Sequence, residues 1–250
     1  MSQTEKPVVG AAPEGTRDPH AAAAAVREMF SSIAPRYDLL NHLLSFNVDR
    51  LWWRRAACTF RHILQRPGTR ALDLCCGTGD MAFALVRASD RETMIVGADF
   101  SHAMLIRAAE KSDGTALNWT EADALRLPFA NAQFDLITSA FGFRNLADYD
   151  AALREMFRVL RPAGEVGILD FGEPTGLIGR VYRIYFRRVL PAAGTVISGV
   201  KGPYAYLPAS VERFPAPPEM LERMRAAGFD DVSWTPYTFG IAGLYRGKKV

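Results

Sequence analysis

Three aspartates stand at the ends of successive apolar runs in this chain: Asp73 in the run Ala71 to Leu74, Asp99 after Met94 to Val96, and Asp123 just past Leu117 to Thr120. Between the first two lies a Gly-rich turn, Cys76-Gly77-Thr78-Gly79, followed by a helical pattern from Met81 to Val86. Strand, tight turn, helix and strand make a βαβ unit, and in open α/β sheets ligands bind at the carboxyl ends of the strands, where these acids stand. Gly77-Thr78-Gly79-Asp80-Met81-Ala82 matches the dinucleotide fingerprint, and Asp99 follows about 20 residues on, where a ribose-binding acid belongs. The charges argue against a pyrophosphate. Asp73 and Asp80 would meet it with like charge, and no Lys or Arg lies between Arg70 and Arg87. An adenosine ligand without phosphates and with a positive centre fits better, and S-adenosylmethionine has both properties. Asp99 would accept its ribose hydroxyls and Asp123 its adenine amino group, while Gly77 and Gly79 let the backbone approach the methionine part. A structural βα turn with surface acids, or a nicotinamide site, are the competing readings.

A second constellation follows the apolar run Phe134 to Ala140. Phe141-Gly142-Phe143-Arg144-Asn145 sets an Arg-Asn pair just past a strand end, well placed for a substrate oxygen. A salt-bridged structural arginine explains Arg144 equally well. Tyr37 and Asp38, beside the break at Pro35, face a bound ligand in one reading and anchor helix packing in another. The four histidines show no ligand spacing with one another or with Cys58, Cys75 and Cys76, so no metal is expected.

These groups need a scaffold. Residues 1 to 20, with three prolines and little apolar periodicity, read as a disordered tail, and 21 to 250 as one domain. Val26 to Phe60 alternates helical patterns with breaks, giving short helices that lie over the carboxyl end of the sheet within a lid of residues 21 to 66; at least one of Trp52 and Trp53 packs in the core. Ser101 caps a helix to about Lys111. A helix from Ala151 to Leu160 leaves through the turn 161 to 164 into a fifth strand, Glu165 to Phe171. A helix from Glu219 to Ala227 precedes two closing strands, Asp231 to Trp234 and Ile241 to Arg246. The sum is α/β: a Rossmann-like, seven-stranded, doubly wound sheet with N-terminal helices and a helical insertion, 173 to 213, after the fifth strand. In that insertion Ile178, Val181, Tyr182, Tyr185 and Val189 follow helical spacing, with Arg180, Arg183, Arg187 and Arg188 on or beside another face. A basic amphipathic helix of this kind suits a membrane surface, with Tyr182, Tyr185 and Phe186 entering the headgroups, or the mouth of an apolar ligand's site; a packed cap helix is the alternative.

At 250 residues, 49% hydrophobic and 23% charged, the chain has the composition of an ordinary globular protein with one large core. A net charge of +3 is too small to imply nucleic acid. No apolar run reaches the roughly 18 residues of a membrane span, and Ala21 to Ala25 lacks the length and cationic start of a signal peptide. Adjacent Cys75 and Cys76 make no disulfide framework, which suggests a reducing cytoplasm.

With LDLCCGTGD, VGADFSHAML, EADALRLPF, FDLITSAFGFRNL, REMFRVLRPAG and MRAAGFDDV, the chain resembles class I S-adenosylmethionine methyltransferases. MFSSIAPRYDLLNHLLSF, the FGFRN turn, VLPAAGTVISGVKGPYAYLPASVERFP and the late Arg-Gly-Lys-Lys make it similar to the ubiquinone/menaquinone biosynthesis C-methyltransferase family, over nearly everything after residue 26. The resemblance implies cofactor contacts at Thr78, Asp99, Asp123 and Ala124, with Asp73, Gly77 and Gly79 around them. It implies methylation of a ring carbon of a prenylated demethylquinol, with Arg144 and Asn145 holding the developing oxyanion and Tyr37 orienting the ring or a water. The insertion is closer to menaquinone-type members, which favours 2-demethylmenaquinol over a ubiquinone precursor; a non-catalytic scaffold of a quinone-making assembly is the reading from another class. It further implies a cytoplasmic protein with transient contact at the inner face of the membrane, and leaves room for a homodimer. Two positions depart from the pattern. Cys75 replaces the first glycine of the cofactor turn, and Ala140 stands where a serine contact is often found, with Ser139 facing the other way.

Overall fold

The computed structural model describes residues 10, 11, 13, 16, 18–34, 45, 47–112, 117–172, 174, 176, 179, 182, 185 and 203–250. Seven strands form one sheet in the order β3-β2-β1-β4-β5-β7-β6. They are β1 (Arg70–Leu74), β2 (Met94–Asp99), β3 (Leu117–Glu121), β4 (Phe134–Ala140), β5 (Leu160–Phe171), β6 (Asp230–Tyr237) and β7 (Ala242–Lys248). The first five run parallel and β7 is antiparallel to both its neighbours. Side-chain alternation splits the core in two. Leu72, Leu74, Val96, Ile137 and Ile168 face α6 (Tyr149–Val159) and α8 (Pro217–Ala226), while Ala71, Ile95, Leu136 and Leu169 face α2 (Val48–Thr59) and α4 (Asp80–Ala88). Both faces are covered, which is why these strands read as apolar runs. Chain order reverses at β1, whose neighbours are β2 and β4, so the crevice for a ligand opens above β1.

Four further helices lie among the described residues: α1 (Pro19–Ile33), α3 (Arg61–Leu64), α5 (His102–Lys111) and α7 (Pro203–Arg213). Helix α1 begins inside what reads as tail because Asp18 accepts the Ala21 amide at 2.8 Å and Pro19 occupies the first turn. Ala11, also assigned to the tail, is buried and donates its amide to the Leu146 carbonyl at 2.7 Å. Residues 161 to 164 are not a turn. Leu160 already pairs with Phe134, and the chain end holds the stretch in place, with Lys249 accepting from the Ala163 amide and donating to the Gly164 carbonyl. Ser101 occupies the cap position of α5, but its hydroxyl lies 3.0 Å from that of Ser31 on α1 and makes no cap bond. The readings placed on Pro35, Tyr37, Asp38, Ile178, Arg180, Val181, Arg183, Phe186, Arg187, Arg188 and Val189 lie outside the described residues.

Candidate active site

The cofactor turn leaves β1 through two left-handed residues, Cys75 (φ 55°) and Gly77 (φ 54°), and enters α4 through a third, Gly79 (φ 90°). Cys75 therefore keeps the backbone that a glycine would supply, at the steric cost of its Cβ. Opposite it, at the end of β4, Phe141 is left-handed as well (φ 58°), and a Cβ on Gly142 would fall 2.4 Å from that of Cys75. The two strand ends thus close on each other so tightly that only glycine fits at 142. Gly79 is held for a different reason: a side chain there would strike the Trp119 ring, which covers Gly79 and Gly97 and is fixed by its Nε1 bond to Ser112.

A cavity of about 370 Å³ opens above this junction. Thr78, Asp73, Asp80, Asp99, Phe100, Asp123 and Ala124 line one part. Asp73 is fully buried; Thr138 donates to its Oδ1 at 2.8 Å, and its Oδ2 has no partner among the described residues. Burial pushes its pKa up to about 7. Asp99 is also buried and raised by desolvation, with Oδ2 accepting from the Gly77 amide at 2.8 Å and Oδ1 from the Ser101 amide at 2.9 Å. One carboxylate therefore ties the cofactor turn to the start of α5 while keeping lone pairs for a ligand. No Lys or Arg bonds to either acid among the described residues. Asp80 differs from its reading: Lys111 answers its charge at 3.0 Å, so the case against a pyrophosphate rests on Asp73 and Asp99. Asp123 is exposed at the rim, where its Oδ1 accepts the Leu125 amide, and Ala124 is buried beside it. An orphaned carboxylate oxygen on Asp73, one of two buried acids lining this part, suits a positively charged ligand, and the sulfonium and ammonium of S-adenosylmethionine fit this part of the cavity.

The other part is aromatic. Trp52 and Trp53 belong to the core and to the cavity wall at once. With Phe141 and Phe171 they form a cluster whose ring centroids lie 4.6 to 6.5 Å apart. Tyr182 and Tyr185 line the same wall, partly buried, and pack with Phe171, Leu207 and Val211. Ala140 lines the cavity and Ser139 does not, as the pleat requires.

Arg144 and Asn145 sit in a short 3-10 turn at the junction of the two parts. Arg144 is buried, its guanidinium 2.9 Å from Asp170 and 5.1 Å above the Phe171 ring, with a further bond to the Phe141 carbonyl. Asp170 is fully buried and takes the Arg144 amide as well, at 3.1 Å. The salt-bridged arginine of the bland reading is therefore real, yet it lies in the cavity wall, and both Nε of Arg144 and Oδ1 of Asn145 are buried without partners among the described residues. Sequence reasoning missed Asp170, although its position near the end of an apolar strand repeats the signal that singled out Asp73 and Asp99. It missed Asp49 too, a buried acid in the first turn of α2 that lines the cavity among aromatics.

Known proteins are similar to this chain over most of its length. A demethylmenaquinone methyltransferase from Deinococcus radiodurans is 46% identical, covering 100% of both chains. A ubiquinone/menaquinone biosynthesis C-methyltransferase from Geobacter sulfurreducens is 43% identical over 90% of this chain and 88% of its own. Among solved structures the [4+2]-cyclase SpnF, at 16% identity, superposes with a TM-score of 0.65 over 98% of this chain and 99% of its own, a likeness of fold. Residues 19–249 match a single family description, and the chain belongs to the ubiE/COQ5 methyltransferase family.

Proposed function

We propose that the protein transfers the methyl group of S-adenosylmethionine to a ring carbon of a prenylated demethylquinol, with 2-demethylmenaquinol as the substrate and menaquinol as the product. One observation carries the reading: a single cavity joins buried acids, neither of them bonded to a Lys or Arg among the described residues, to an aromatic wall, with an arginine and an asparagine where the two parts meet. A quinol ring against Trp52, Phe141 and Phe171 would bring its hydroxyl to that junction. Thr78, Asp99, Asp123 and Ala124 hold the nucleoside, and Asp73, Gly77 and Gly79 border the methionine part. The bound cofactor supplies an electrophilic methyl on sulfur.

The chain's own work is to make the ring carbon nucleophilic and to hold it in line. An aromatic carbon reacts poorly until the neighbouring hydroxyl loses its proton, so negative charge develops on that oxygen. Arg144, a guanidinium clamped by Asp170, carries donors and no acceptor, so it stabilises this charge and does not take the proton. Asn145 shares the hold on that oxygen through its side-chain amide, Tyr37 orients the ring or the water that carries the proton away, and the aromatic wall fixes the ring plane. A long isoprenoid tail keeps the substrate in the bilayer, so the enzyme meets it at the membrane surface. The test is methyl incorporation from labelled S-adenosylmethionine into 2-demethylmenaquinol against the corresponding ubiquinone precursor. Preferential labelling of the first supports the assignment, preference for the second moves it to ubiquinone synthesis, and labelling of neither refutes it.

A further inference from the structure

Among the described residues, two large apolar side chains are strongly exposed close to the cavity mouth: Leu51, 63% exposed on α2, and Phe239, 75% exposed in the turn between β6 and β7. One lies beside a cavity-lining residue in sequence and the other within two residues of a pair of them. Leu51 precedes Trp52; Phe239 lies between Thr238 and Ile241. A bond of 2.8 Å from Trp52 Nε1 to the Thr238 hydroxyl ties the helix to the turn, and Arg55 lies 4.3 Å above the Tyr237 ring. Leu51 and Phe239 therefore stand on one rim.

The turn is built to hold its phenyl ring outward. Thr238 (φ 46°), Phe239 (φ 58°) and Gly240 (φ 87°) are left-handed in succession, a conformation that a Phe adopts only under constraint. The constraint is visible behind it, where the Gly172 amide bonds to the Ile241 carbonyl and the backbone at Gly240 leaves no room for a Cβ on Gly172. Arg50 and Arg54, exposed on the same helix as Leu51, have no ion pair among the described residues.

We propose that this rim, Leu51 and Phe239 flanked by Arg50 and Arg54, is the surface by which the protein docks on an anionic lipid bilayer. Two isolated apolar anchors beside arginines that have no ion pair among the described residues fit a headgroup layer, where rings bury partway and guanidinium groups meet phosphate. A protein partner would call for a broader apolar patch than two separated side chains provide. The placement also has a use that rests on the proposed function: a tail drawn from the bilayer here passes directly to the Trp52 wall.

The test uses the full chain with vesicles of phosphatidylcholine alone or mixed with phosphatidylglycerol. Leu51→Ser/Phe239→Ser should reduce co-sedimentation with the mixed vesicles by roughly tenfold, the scale of one large side chain's burial. Arg50→Gln/Arg54→Gln should remove the preference for phosphatidylglycerol. Both variants should bind S-adenosylhomocysteine as the parent does, which verifies the fold, and should keep turnover on a short-tailed soluble quinol while losing it on vesicle-borne substrate. A parent that ignores anionic vesicles, or variants that bind them like the parent, overturns the docking surface. Absence of turnover on any quinol, with vesicle binding lost in the variants, overturns the proposed substrate and leaves the surface standing.

Discussion

Asp170→Asn tests whether the buried ion pair is structural, functional or both. In the parent, a fully buried carboxylate takes the Arg144 guanidinium at 2.9 Å, the Arg144 amide at 3.1 Å and the Phe171 amide at 2.9 Å. An asparagine keeps one acceptor and removes the charge, so the Arg144 guanidinium, 6% exposed, is left without its counter-ion. Breaking a buried pair from one side costs about 3–5 kcal/mol. For a chain of 250 residues each kcal/mol moves the melting temperature by roughly 2–4 °C, so a fall of about 6–20 °C is expected in scanning calorimetry. Arg144→Ala alone is a poor kinetic probe for the same reason, since it leaves Asp170 buried and unpaired. The informative partner is Arg144→Gln/Asp170→Asn, which removes both charges and should recover most of the lost stability. Turnover should not recover, because the charge facing the developing oxyanion is gone; a loss of about 10²-fold or more is expected with cofactor affinity nearly unchanged. A melting temperature within about 2 °C of the parent for Asp170→Asn would place the pair with exposed ones. Parental turnover in the double variant would refute the role given to Arg144.

Asp99→Asn retains one acceptor for the amides of Gly77 and Ser101 and should weaken S-adenosylmethionine binding by about 1.5–3 kcal/mol in calorimetry; unchanged affinity with an intact fold would remove Asp99 from the ribose site. Asp73, raised to about 7 by burial, binds its proton in the fold while the unfolded chain has already lost it, so between about pH 4 and 7 its contribution to stability falls as pH rises. A cationic ligand prefers the ionised form, so cofactor affinity should increase by up to about tenfold per unit as pH rises toward 7 and then level; a profile identical in Asp73→Asn would show that another group is responsible. Gly142→Ala places a methyl 2.4 Å from Cys75 Cβ and should cost about 1–3 kcal/mol, and Cys75→Gly should relieve much of that; an additive pair in chemical denaturation would rule out the contact as the cause.

The strands and the acids at their ends were legible because both signals are local. An apolar run, a glycine turn and an aspartate at the next strand end can be read within one βαβ unit, and Thr78, Asp99 and Ala124 indeed border one cavity. What escaped depends on partners far along the chain. Asp170 looks like any strand aspartate until Arg144, 26 residues earlier, folds back on it. Residues 161 to 164 carry turn composition, and only the chain end at Lys249 makes them a strand. Lys111 neutralises Asp80 from another helix, which a charge count around the turn cannot anticipate. The two tryptophans of α2 read only as core, and they line the cavity as well, because the cavity wall is the upper edge of the core.

Left-handed residues other than glycine are costly, and this chain spends most of them in one place. Asn47, Cys75, Phe141, Thr238 and Phe239 are five of the eight such positions among the described residues, and each adjoins a residue of the cavity wall or belongs to it. At about 1–2 kcal/mol apiece they represent a sizeable share of what a domain of this size has to lose. Selection for thermostability alone would act first at Asn47 and Phe239, where glycine relaxes the backbone with little side-chain packing to lose; at Phe141 and Thr238 it would also remove a ring packed on Trp52 and the hydroxyl that Trp52 bonds. Variants recovered from such a selection would melt later and catalyse worse, and the positions at which they changed would trace the outline of the mouth.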